Sequence, residues 1–99
     1  MRLDPDEVTK ILEIVRETAG PDAEVRLFGS RLDDSARGGD VDLLLSLPRP
    51  VQRPAVLATR LEACISRALG GRKVDVVLEA PNLRRTSIHE HARRTGVRL

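Results

Sequence analysis

The chain reads as an α/β (α+β) domain, with helices packed mainly on one face of a small mixed sheet. Three observations lead there. Its 99 residues have room for one hydrophobic core, so residues 1–99 are expected to form a single domain. Apolar residues make up 40% of the chain and charged ones 32%, which is more apolar than a disordered chain would be. Along the sequence, helical and strand periods alternate: helix, strand, short helix, strand, helix, strand, helix.

The first helix is signed at both ends. Asp4 suits the N-cap, Pro5 the first helical position, and Glu7 stands three residues after the cap. Val8, Ile11, Leu12, Val15 and Ala19 then share one face, and Gly20-Pro21 stops the helix. Glu24 to Phe28 alternates and is short, as a strand does. Residues 31–39 are small and polar, consistent with a short helical turn followed by a loop. The dense apolar run in 40–47 marks a buried strand, broken by Pro48, Pro50 and Pro54. A second long helix is expected over 54–69, with Leu57, Leu61, Cys64, Ile65 and Ala68 inward and Gly70-Gly71 as its exit. Cys64 reads there as a small core residue. Lys73 to Leu78 is the next strand, with Val74, Val76 and Leu78 on one face and Asp75 and Val77 on the other. Residues 83–95 look helical, with Leu83, Ile88 and Ala92 as apolar positions, and 97–99 form a tail or short edge strand.

Several function classes drop out on composition. No apolar run approaches the roughly 18 residues that span a membrane, and the N-terminal residues do not form a signal peptide. One cysteine excludes an intrachain disulfide framework and a multi-cysteine zinc site, and a cytoplasmic location is expected. Phe28 is the sole aromatic residue, so no base-stacking platform for single-stranded nucleic acid exists. The net charge of +2 conceals an asymmetry: residues 1–50 carry 7 basic and 11 acidic side chains, residues 51–99 carry 10 and 4. The basic half invites an anionic partner, but with no helix-turn-helix or aromatic platform, direct nucleic-acid binding is not expected. His89 and His91, two apart on a helix, lie on different faces; they make a poor shared metal site and read as surface or partner-facing.

The chemistry concentrates in a Gly-Ser turn and three carboxylates. Asp40 and Asp42 straddle one residue at the start of a strand, so both point to the same face. Asp75 occupies a position in another apolar strand where a core residue would be expected. If these strands are neighbours, three carboxylates meet, and such a cluster is costly without a cation. Hard oxygen ligands completed by water and substrate phosphates are what magnesium prefers. Any one aspartate alone reads equally as a strand start or an arginine partner; the set, with the turn, reads as a site. Gly29-Ser30, where a strand runs into a short helix, offers close backbone approach, N–H groups and a hydroxyl to phosphates.

Gly29-Ser30, nine intervening residues, Asp40-x-Asp42 and a later strand aspartate resemble the nucleotidyltransferases related to DNA polymerase beta. The short length is similar to that of the minimal nucleotidyltransferases, the antitoxin partners of HEPN toxins. The likeness runs through 27–31, 39–44, 73–77 and the terminal helix; Gly39 departs from it, where many relatives have serine. The resemblance implies a nucleotidyltransferase fold and Mg-dependent transfer of AMP from ATP, at a two-metal site, to a hydroxyl of a cognate HEPN-type toxin, most simply a tyrosine. Asp40, Asp42 and Asp75 would be the catalytic and metal-holding carboxylates, and Asp75 would also orient or deprotonate the acceptor. Gly29, Ser30 and Arg31 would grip the nucleotide phosphates, although Arg31 alone reads equally as an ion-pair partner of Asp33 or Asp34. The chain has no tyrosine, so that acceptor comes in trans, with Arg84, Arg85, Arg93 and Arg94 as a candidate docking surface. The alternative is a catalytically idle antitoxin that neutralises its toxin by steric occlusion.

Overall fold

A computed structural model describes residues 3–29 and 40–99. The element order is α1 (Pro5–Ala19), β1 (Glu24–Phe28), β2 (Val41–Ser46), α2 (Pro54–Ala68), β3 (Val74–Glu79), α3 (Ser87–Thr95) and β4 (Val97–Arg98). The short helical turn expected within 31–39 lies outside the described residues.

Local chemistry sets the boundaries. Asp4 and Glu7 form the expected capping box, each side chain accepting from the other's backbone N–H at 2.9 and 3.1 Å. At the far end of α2, Gly71 N–H reaches Ser66 O and Gly70 N–H reaches Arg67 O, a Schellman closure that needs the positive φ of Gly70. The last helix starts later than its apolar spacing suggests, at Ser87 and not at 83. The reason is that the preceding residues serve the other side of the molecule. Asn82 exchanges two hydrogen bonds with the Val51 backbone, at 2.9 and 2.8 Å, and Leu83 packs against the main core.

The sheet order is β3-β2-β1-β4, with β2 and β3 parallel and the other pairs antiparallel. Strict alternation divides it into two faces. Val25, Leu27, Val41, Leu43, Leu45, Val74 and Leu78 are buried on the face that carries α1 and α2, against Ile11, Val15, Leu61 and Ile65. Among the described residues the opposite face carries only α3, which packs Ala92 against Phe28 and Leu44 with Val77 alongside. Among the described residues, two helices on one face and one on the other make the mixed α+β architecture expected. Cys64 is half-buried, set at the margin of the core and not within it. No helix among the described residues is long and apolar enough to cross a membrane.

Candidate active site

The face under α3 has a chemical gradient. Register pairs Asp42 with Asp75, Leu44 with Val77, and Ser46 with Glu79, all on the same side of parallel neighbours. One end is acidic, the middle apolar and covered by Ala92, and the far end a charged cluster tied to α3.

At the acidic end, β2 is the inner strand, so Asp42 is held between Phe28 on β1 and Asp75 on β3. Both aspartates are half-buried. Sheet packing by itself favours apolar or oppositely charged side chains at such facing positions, not two carboxylates. Gly29 follows β1 with φ of +84°, and a Cβ on it would lie 2.8 Å from Asp42 Oδ2. A glycine is therefore needed twice over, for its backbone conformation and for the close approach to that carboxylate. Asp40 is half-buried and precedes β2, whose ladder begins when Val41 N–H donates to Lys73 O at 2.8 Å. Asp40 thus stands one residue ahead of the strand.

The donor set fits a hard divalent cation: carboxylate oxygens, without thiol or imidazole. The register brings Asp42 and Asp75 together; among the described residues no group of three or more histidine, cysteine, aspartate or glutamate side chains closes on one point. Ser30 and Arg31, expected at the phosphates, lie outside the described residues, as do Asp33 and Asp34.

At the other end, Arg93 Nε donates to both Glu79 oxygens, at 2.8 and 2.9 Å, and Ser46 Oγ donates to Oε1 at 2.7 Å. The Arg93 guanidinium holds the Glu79 carboxyl down to about 2 against the opposing effect of burial, with Ser46 and Arg85 adding to it. Two of the four arginines expected at a docking surface, Arg85 and Arg93, thus have an intramolecular partner.

Sequence reasoning missed two residues. His89 is buried, not surface-facing. Its Nδ1 accepts from Thr86 N–H at 3.0 Å, which leaves the proton on Nε2 to donate to Leu78 O at 2.8 Å. Glu62 Oε2 accepts from Val76 N–H at 2.9 Å. The one available signal for Glu62 was that it is the sole acid in α2.

The chain matches none of the curated proteins. The family description "Nucleotidyltransferase domain" matches residues 8–95, from the first turns of α1 to the end of α3, and so takes in β1, Gly29, Asp40, Asp42 and Asp75. With that match spanning nearly the whole chain, on a mixed sheet flanked by three helices, the protein belongs to the nucleotidyltransferase domain family, whose class of chemistry is nucleotidyl transfer.

Proposed function

We propose that the chain is a minimal nucleotidyltransferase that acts as an antitoxin, moving AMP from ATP to a hydroxyl of a cognate HEPN-type toxin. One observation carries the chemical part: the in-register placement of Asp42 and Asp75 on parallel neighbours, with Gly29 against Asp42. Two carboxylates brought opposite each other on parallel neighbours are what a cation-dependent site requires. The toxin partner is supported by the resemblance in motif spacing and length alone.

Asp40, Asp42 and Asp75 would hold Mg2+. Held there, the ions would supply charge neutralisation for an in-line displacement. The chain's own residues do the rest. Gly29, with no side chain, lets the triphosphate approach the end of β1, where Ser30 and Arg31 follow in sequence to hold the β- and γ-phosphates. Asp75, on the edge strand, would orient the acceptor hydroxyl and take its proton. The acceptor oxygen then bonds to the α-phosphorus, the bond to the bridging oxygen breaks, and pyrophosphate leaves with the electron pair. Because the chain contains no tyrosine, a tyrosine acceptor belongs to the partner.

The test is intact mass of the protein encoded beside this one after incubation with this chain, ATP and Mg2+. A gain of one or more AMP units, absent when Asp40→Asn and Asp42→Asn are introduced, is the expected result. A stable complex with no mass gain would replace transfer by occlusion.

A further inference from the structure

Strand β3 is an edge strand among the described residues, with β2 on one side and no strand on the other. The ladder shows which backbone groups point where. Lys73 O and Glu79 O accept from Val41 and Leu47 on the β2 side. Because backbone groups alternate along a strand, Val74, Val76 and Leu78 turn theirs to the open edge. Two of these outward groups are met by side chains from opposite layers. Glu62, from α2, accepts from Val76 N–H at 2.9 Å, and His89, from α3, meets Leu78 O at 2.8 Å.

The position of the first contact matters. Val76 directly follows Asp75, and Asp75 stands opposite Asp42. Asp42 lies on a strand held from both sides, whereas Asp75 lies on one held by β2 alone. The strand that carries Asp75 is therefore the one less held, and it can shift outward, away from Asp42. Glu62 opposes this from a rigid base, since its helix neighbours Leu61 and Ile65 are fully buried. It also arrives from the face carrying α1 and α2, so it adds no third carboxylate to the face of Asp42 and Asp75.

We propose that Glu62 is a positioning residue for Asp75: it takes the place of a missing outer strand at Val76 and keeps Asp75 level with Asp42. This rests on the reading of those two aspartates as ligands. A supporting contact of this kind changes metal affinity roughly tenfold or more when removed from a site it orients.

Two conservative variants separate reach from charge. Glu62→Gln keeps the side-chain length and an acceptor oxygen but loses the charge; Glu62→Asp keeps the charge but falls short by one methylene. Free Mn2+ is titrated by electron paramagnetic resonance, and exchange of the Val76 amide is followed by NMR. The expected result is Mn2+ affinity reduced roughly tenfold, with faster Val76 exchange, in Glu62→Asp, and both properties retained in Glu62→Gln. Full affinity in Glu62→Asp, or equal loss in Glu62→Gln, would overturn the positioning role. The unaltered chain distinguishes the two possible failures. If it takes up no Mn2+, the ligand reading of Asp42 and Asp75 falls; if it does and Glu62→Asp matches it, only the role of Glu62 falls.

Discussion

At the level of single residues, function and stability are expected to respond differently to substitution at the acidic end of the sheet. Asp75 faces Asp42 across two parallel strands. Asp75→Asn removes one of two like charges and is expected to raise stability in metal-free buffer by about 0.2–1 kcal/mol, while lowering nucleotidyl transfer at least about 100-fold. Paired melting and turnover measurements check this, and a variant that loses both stability and activity would point to a structural role. Gly29→Ala is a different kind of change. It forces a side chain into φ of +84° and against Asp42 Oδ2, so a loss of about 1–2 kcal/mol is expected in urea unfolding, together with lost activity. Gly29, Asp42 and Asp75 were legible in the sequence because each breaks a local rule: a glycine ending a strand, and acids at strand positions that otherwise carry apolar side chains. Glu62 and His89 were not, because each meets a backbone group 14 or 11 residues away, and no local pattern records such a contact.

At the level of elements, periodicity located α1, α2, β1, β2 and β3, since the core face of each is apolar at its own period, whereas Ile88 in α3 and Val97 in β4 are exposed. It misjudged where α3 begins, because Leu83 is apolar for the sake of the main core and not of the helix. The Glu79 cluster ties α3 to the sheet and makes that attachment depend on pH. Its carboxyl lies at about 2 in the folded chain against 4.5 ordinarily, so folding favours the charged form. The stabilisation is complete above pH 4.5 and is lost as the pH falls through about 2. One pKa unit is worth about 1.4 kcal/mol, so the ceiling is about 3 kcal/mol, lowered toward about 1–2 because Arg93 stays partly exposed. Urea unfolding of the unaltered chain and Glu79→Gln should differ by that amount at pH 6 and converge toward pH 2. A gap that stays constant with pH would remove Glu79 from the account.

At the level of the whole molecule, the two faces of the sheet divide the work. The face carrying α1 and α2 holds the continuous core, whereas the face of α3 has a small apolar patch between an acidic end and an ion-pair cluster. The parallel pairing of β2 with the edge strand β3 joins these layers to the acidic end, because it is what places Asp42 beside Asp75. That pairing could be expected only conditionally from sequence: two acid-bearing strands were evident, but strand adjacency is a property of the folded chain. The most direct test of the central claim needs no partner protein. Isothermal titration of α,β-methylene-ATP into the unaltered chain, Asp42→Asn and Asp75→Asn, each with and without Mg2+, measures whether the paired carboxylates hold a metal–triphosphate. Binding to the unaltered chain is expected to require Mg2+ and to weaken roughly tenfold or more in either variant. Binding that is equal in all three chains, or indifferent to Mg2+, would contradict the central claim.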